Sequence, residues 1–165
     1  MEPLGRSSVR PQLPYLRGRV GHMSPRRRMR LYAVSLATWC TGVVWLVFHY
    51  FVKTVDRFGF ETPHPAEKWF LIGHAAVSFY AIWWFGLLWP NHIKSSWKLH
   101  IRRGTGGVLF GCIALLILTG CALYYIGSDR LRNWTALVHW GVGLAALLAF
   151  IVHLLTRTGR ATGHA

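Results

Sequence analysis

The stretch TALVHWGVGLAALLAFIVHLL, residues 135–155, is apolar and long enough to cross a membrane, and it carries two histidines, His139 and His153. Fourteen helical steps of about 100° return to within about 40° of the first direction while rising about 21 Å. Both imidazoles therefore leave one face of one helix, near opposite surfaces of a bilayer. An imidazole is costly to leave without a partner in hydrocarbon. The spacing fits two stacked haems, although a single such histidine can also contact a neighbouring helix or line a wet cavity.

The rest of the chain has the composition of an integral membrane protein. Of its 165 residues, 53% are hydrophobic and only five are acidic, which excludes an ordinary soluble domain. Four stretches can cross about 30 Å of hydrocarbon, and they are residues 31–52, 69–89, 106–126 and 134–155. Short connections make consecutive spans antiparallel. The predicted fold is all-α, an integral membrane up-down four-helix bundle.

The net charge of +14 follows the membrane topology and does not indicate a nucleic-acid partner. Fourteen of the nineteen Lys and Arg residues lie before the first span, in the middle loop or after the last span. The other side carries five cations and four acidic residues, a net charge of about +1. This bias predicts that both termini and the middle loop are cytoplasmic.

Three regions follow from hydropathy and composition. Residues 1–30 are rich in Arg, Pro, Gly and Ser, which predicts a disordered basic cytoplasmic segment. Its arginines before Leu31 are interpreted as a positive-inside anchor and not as a twin-arginine export signal. Residues 31–156 form the predicted haem-binding transmembrane domain, and residues 157–165 form a short cytoplasmic tail. The absence of a CxxCH sequence excludes c-type haem attachment.

The remaining histidines can be sorted by depth. The second and fourth spans run in the same direction, and His74 lies as far into one as His139 lies into the other, so we expect these two histidines to hold an outer haem iron. For an inner iron beside His153, the preferred ligand is His92. It follows His74 by five helical turns on the same face, although Pro90 interrupts that helix. The alternative inner ligand is His100.

Other residues are candidates for contacts with the cofactors. Gly106 and Gly120 repeat the fourteen-residue interval on the third span, where the lack of a side chain would let a flat macrocycle approach the backbone. Close helix packing is the alternative explanation. Arg102 and Arg103 stand where inner-haem propionates would emerge, because guanidinium donors match carboxylates. His49 is interpreted as a pocket or quinone-contact residue, or as an interfacial histidine without a special role.

The chain resembles the four-helix di-haem b-type cytochromes that serve as membrane subunits of respiratory oxidoreductases, such as formate dehydrogenases and nickel-iron hydrogenases. The likeness is strongest in VHWGVGLAALLAFIVHLL, residues 138–155, whose two histidines match the paired ligands of that family's corresponding helix. Gly73-His74, PNHIKSSWKLHIRRGTGG, LTGCALYY and VHW also resemble small bacterial membrane proteins of largely uncharacterised function. In those proteins, histidines recur at the positions of His74, His92, His139 and His153, and the likeness covers about residues 65–157.

This resemblance implies two haem b groups, the bacterial inner membrane and a role in the respiratory chain. It departs from the oxidoreductase anchors at the inner ligand, which they take from the cytoplasmic end of the first helix. Here that end reads RRRMRLYAVS and has no histidine.

The expected function is electron transfer. Iron held by two histidines has no free site for a substrate, so we expect a non-catalytic subunit of a larger oxidoreductase complex. It would carry electrons between a periplasmic redox partner and the quinone pool, or across the membrane. The loop KTVDRFGFETPHPAEK, residues 53–68, and residues 128–133 are expected to dock that partner. The alternatives are a small histidine-lined transporter with a proton relay, and a membrane anchor subunit without haem.

Overall fold

The computed structural model of the chain describes residues 23–98, 100 and 103–158, without the side chains of residues 91, 157 and 158. Its elements, in chain order, are α1 (Pro25–Phe51), β1 (Lys53–Val55), β2 (Glu61–Pro63), α2 (Pro65–Leu88), a π-helical segment (Trp89–Ile93), α3 (Lys94–Lys98), α4 (Arg103–Tyr125) and α5 (Asp129–Thr158). Helices α1, α2, α4 and α5 are long and apolar enough to cross a membrane. The prediction of four spans in a helical protein is thus confirmed.

Each long helix begins three to six residues before the span that hydropathy outlines, because its first turn is polar. Helix α1 starts at Pro25, where the Ser24 side chain accepts a hydrogen bond from the Arg27 amide. Residues 25–30, assigned above to the disordered segment, are therefore helical, and residues 1–22 lie outside the described part of the chain. Helix α2 starts at Pro65, after His64 accepts from the Ala66 amide through Nδ1.

A two-stranded antiparallel hairpin joins α1 to α2, which hydropathy did not predict. Thr54 pairs with Thr62 across the strands, and their hydroxyls lie 3.2 Å apart. The Asp56 side chain closes the turn by accepting the amides of Phe58 and Phe60 at 2.8 and 2.9 Å. Gly59 takes a φ of +86°, a conformation that glycine adopts without steric cost. We call this end of the molecule the hairpin end, and the opposite end, where α1 begins, the terminal end.

The four long helices contact one another in a ring. The most extensive packing joins α1 to α2 and α4 to α5. Helix α1 contacts α5 through Tyr32 and Phe150, whose ring centroids lie 5.7 Å apart. Helix α2 contacts α4 through Phe85 and Phe110, whose ring centroids are also 5.7 Å apart, and these two contacts close the ring. Helices α2 and α5 therefore stand at opposite corners.

The surface of this ring is strongly apolar. Large side chains such as Phe79, Leu118 and Leu148 are 66–73% exposed. Such a surface belongs in a lipid bilayer, which makes this a multi-pass membrane protein. Among the described residues Trp84, at 7% exposed, is the only buried side chain, because each helix of so small a bundle turns much of its surface outwards. The up-down orientation and the cytoplasmic location of both termini stay predictions.

Candidate functional site

His74 on α2 and His139 on α5 face each other across the ring of helices. Their ring centroids lie 6.4 Å apart with planes at 81°. Two imidazoles bound to opposite sides of one metal ion have centroids about 6.4 Å apart, because each metal–nitrogen bond is about 2 Å and each centroid lies about 1.2 Å behind its nitrogen. The observed centroid separation thus matches that of two imidazoles that share one metal ion.

The Nδ1 atom of His74 carries a proton, as its hydrogen-bond partners show. The Thr38 carbonyl lies 3.1 Å away and can only accept. The Thr41 hydroxyl lies 3.2 Å from the same nitrogen and donates its own proton to the Ala37 carbonyl at 2.8 Å. Neutral His74 therefore holds its lone pair on Nε2, which is the form that binds a metal.

His139 is held by the same arrangement on the other side of the ring. Its Nδ1 lies 2.8 Å from the Thr119 hydroxyl, which donates to the Leu115 carbonyl at 2.7 Å. A hydroxyl has only one proton to donate, so the Thr119 oxygen accepts from His139 Nδ1. The lone pair of neutral His139 is again on Nε2. Both rings are thus oriented and fixed in the tautomer that a metal ligand needs.

Glycines make room for the two rings. A Cβ atom added to Gly42 would lie 3.0 Å from His74 Cε1, and one added to Gly120 would lie 3.3 Å from His139 Cε1. Both separations are closer than ordinary carbon contacts of about 3.5–4.0 Å. The proposed macrocycle contact of Gly120 is therefore, in this structure, a close approach to the histidine ring itself.

His153, nearer the terminal end, also lies against a threonine and a glycine of the neighbouring helix. Its Nδ1 lies 3.2 Å from the Thr105 hydroxyl, and a Cβ on Gly106 would lie 3.6 Å from its Cε1. Three of the histidines are thus seated on adjacent threonine and glycine residues of a neighbouring helix. We call these dipeptides the Thr-Gly seats, and they are Thr41-Gly42, Thr105-Gly106 and Thr119-Gly120. Sequence reasoning used Gly106 and Gly120 but missed Gly42 and all three threonines. The recurrence of Thr-Gly inside the spans was the available signal.

The other inner candidates lie at the same terminal end. His92 is half-buried in the π-helical segment that follows the end of α2. Pro90 lies in this segment and lacks the amide proton that a continuing α-helix would use. The five-turn interval from His74 therefore does not run through uninterrupted α-helix, as its calculation assumed. His100 is exposed, and its φ is +58°.

Arg103, at the start of α4, contacts Trp97 of α3. Its Nε and Nη2 atoms donate to the Trp97 carbonyl at 3.0 and 2.8 Å, and its guanidinium lies 5.3 Å from the Trp97 ring centroid. Three of its five N–H groups take no part in these two bonds. Arg102, the other predicted propionate partner, lies outside the described residues.

No protein-family model, curated protein or solved structure matches this chain. Within the described ranges, no three His, Cys, Asp or Glu side chains converge on one point as in a metal site built from protein alone. A pair of facing imidazoles is the arrangement that completes a metal already held in a planar macrocycle.

Replacing Thr119 with valine should lower the free energy of unfolding by about 1 kcal/mol, because it removes an acceptor of His139 Nδ1 while keeping the side-chain shape. The Leu116 carbonyl also hydrogen-bonds His139 and limits the loss. The measurement is thermal unfolding in detergent. Thr135→Val is the matched control, since the Thr135 hydroxyl donates to its own helix at Leu131. Equal midpoints for the two variants would show that Thr119 does not hold the ring.

Proposed function

We propose that this chain is a membrane di-haem b-type cytochrome, a non-catalytic subunit that carries electrons for a larger oxidoreductase. The 6.4 Å separation of the His74 and His139 rings supports this proposal more than any other observation. His74 and His139 would hold such a haem between them, and the group would supply single-electron exchange with no site left for a substrate.

The residues of the chain would orient the ligands and protect the site. Thr41 and Thr119 accept the Nδ1 protons and so direct Nε2 of each ring towards the iron. Gly42 and Gly120 let the imidazoles lie against the neighbouring backbones. The apolar helices exclude water, which confines the chemistry to electron transfer.

For the inner haem we propose His153 with His92, and His100 as the alternative second ligand. His153 has the same Thr-Gly seat as the outer ligands, which supports a common role. Arg103, and Arg102 beside it, would meet the propionates. Two haems about 21 Å apart along the bundle would connect its two ends for electrons.

The charge bias places the hairpin end in the periplasm in this proposal. There the hairpin presents Phe58 and Phe60, which are 70% and 69% exposed. Aromatic groups are enriched in protein interfaces, which supports docking of a periplasmic redox protein at residues 53–68 and 128–133. The membrane would be the bacterial inner membrane, and the electron acceptor or donor within it would be quinone.

The test is the visible spectrum of the purified protein. We expect reduced-minus-oxidised bands of low-spin haem b and, by the pyridine haemochrome assay, about two haems per chain. Expression must include adequate haem supply. A histidine-lined proton path or a structural anchor would give protein without these bands, and that result would reject the proposal.

A further inference from the structure

The pair of helices α1 and α2 holds the His74 ring by three contacts. Its Nδ1 lies 3.2 Å from the Thr41 hydroxyl and 3.1 Å from the carbonyl of Thr38, three residues earlier on α1. The Thr41 hydroxyl donates to the carbonyl of Ala37, four residues earlier, at 2.8 Å. A Cβ on Gly42, the next residue, would lie 3.0 Å from Cε1 of the ring. One threonine, one carbonyl and one glycine of α1 thus fix the position of His74.

The pair of helices α4 and α5 holds the His139 ring by the same three contacts. Its Nδ1 lies 2.8 Å from the Thr119 hydroxyl and also hydrogen-bonds the carbonyl of Leu116, three residues earlier on α4. The Thr119 hydroxyl donates to the carbonyl of Leu115, four residues earlier, at 2.7 Å. A Cβ on Gly120, the next residue, would lie 3.3 Å from Cε1 of the ring. Each atom of the first arrangement therefore has a counterpart in the second.

The two helix pairs are repeats of each other beyond these contacts. Thr41 and Thr119 are 78 residues apart, and His74 and His139 are 65 residues apart. The same two intervals relate the contacts that close the ring of helices: Tyr32 corresponds to Phe110, and Phe85 corresponds to Phe150. Tyr32 packs on Phe150 and Phe110 packs on Phe85, with ring centroids 5.7 Å apart in both cases. An approximate two-fold axis along the bundle thus exchanges α1 with α4 and α2 with α5.

This axis passes between His74 and His139 and makes their surroundings equivalent. In an edge-to-face contact one ring offers an edge and the other a face, which does not fit two equivalent rings. The remaining arrangement places the line between the rings in both planes. A two-fold rotation then turns the two planes about that line by equal angles in opposite directions. The planes therefore cross, and the angle between them is 81°.

We propose that Thr41 and Thr119 are positioning residues that hold the two axial imidazoles of the outer haem in crossed planes. The inference rests on the proposed function, because it needs haem iron between His74 and His139. The π system of an axial imidazole interacts with the iron d orbital that lies perpendicular to the ring plane. Parallel rings act on one d orbital and separate it in energy from the other, whereas crossed rings act on both alike. Hydrogen bonds to Nδ1 decide the ring orientation.

The two-fold repeat does not extend to the inner ligand. The residue 65 positions before His153 is Leu88, and the residue 78 positions before Gly106 is Arg28. The crossed arrangement is therefore inferred for the outer iron alone, and its spectrum has to be recorded apart from that of an inner iron. His153→Ala provides this separation, because it removes an inner ligand and leaves the outer pair intact.

The proposal is tested by electron paramagnetic resonance of the oxidised full-length protein, frozen in detergent. Crossed axial rings give low-spin ferric iron a strongly anisotropic signal with an unusually large highest g value, whereas parallel rings give an ordinary rhombic signal. We expect the strongly anisotropic signal in the unaltered protein and in His153→Ala, and its loss in His74→Ala. A rhombic signal from the iron that remains in His153→Ala would overturn the inference and leave the proposed function standing. Protein without haem would reject both.

The role of the threonines is tested by the same signal. We expect Thr41→Val and Thr119→Val to lower its highest g value by similar amounts, because each ring keeps only its carbonyl acceptor and turns. Thr41→Ser keeps a hydroxyl and should keep the original signal. Thr105→Val is the matched control, since Thr105 contacts His153 and its loss should leave the outer signal unchanged. An unaltered outer signal in either of the first two variants would show that the threonines do not set the ring planes.

Discussion

His139→Ala should remove about half of the bound haem, because it takes one of two axial ligands from one of two irons. His74→Ala should have the same effect, since the two rings face each other at 6.4 Å. The measurement is the pyridine haemochrome content per chain after purification in detergent. His100→Ala should lose little haem, because His100 is exposed; a loss of about half in that variant would instead assign His100 to the inner iron.

The double variant makes this test sharper. If His74 and His139 hold the same iron, removing both should cost no more haem than removing either one, because residues acting as a unit are not additive. If they serve separate sites, the losses should add. Additive losses, or full haem content in either single variant, would contradict the shared site.

Gly42→Ala should disturb the same site without replacing either of its histidines. Its new Cβ would lie 3.0 Å from His74 Cε1, which forces the ring or the helix to move. Overpacking of this kind costs about 1–3 kcal/mol, and that corresponds to haem binding weaker by about 5-fold to 140-fold. We expect the outer haem to be lost in part during purification and its absorption band to shift. Haem content and redox titration measure both effects.

The other glycines provide a graded comparison. The separations are 3.3 Å at Gly120 and 3.6 Å at Gly106, so Gly120→Ala should have a smaller effect and Gly106→Ala almost none. Gly111→Ala is the control, because nothing lies within 4 Å of its added Cβ. There the gain in helix propensity should stabilise the protein by about 0.5–1 kcal/mol. If Gly42→Ala kept as much haem as Gly111→Ala, the close approach of Gly42 to His74 would have no effect on haem binding.

Hydropathy was sufficient to predict the four spans, because a long apolar helix satisfies its own backbone hydrogen bonds in a bilayer. It could not predict where the helices begin. The first turns of α1 and α5 contain arginines and an aspartate, which hydropathy does not assign to a span. At α1 the N-cap Ser24 and the first helical residue, Pro25, account for the start of the helix. The hairpin was also missed, although Asp56 and Gly59 are typical turn residues.

The sequence could predict relations between site residues only where those residues lie on the same helix. The interval of fourteen residues relates His139 to His153, and Gly106 to Gly120, because each pair shares one helix and periodicity applies within it. Contacts between helices depend on their relative rotation and height, which periodicity does not give. Gly42, which lies closest to His74, was therefore missed.

The inner site shows a second limit of periodicity. The face and height of His92 were calculated along a continuous α-helix, but the chain passes into the π-helical segment at Trp89. A π-helical turn holds more residues than an α-helical turn, and so it rotates the following side chains. The choice between His92 and His100 therefore depends on backbone geometry that the sequence indicates only through Pro90.

Whether His74 and His139 share one metal ion can be seen in an experimental density map of the purified full-length protein in detergent or a lipid disc. We expect this map to show a flat macrocycle between the rings of His74 and His139, with Nε2 of each bonded to a central metal. Continuous side-chain packing between these rings, or density for water alone, would contradict it.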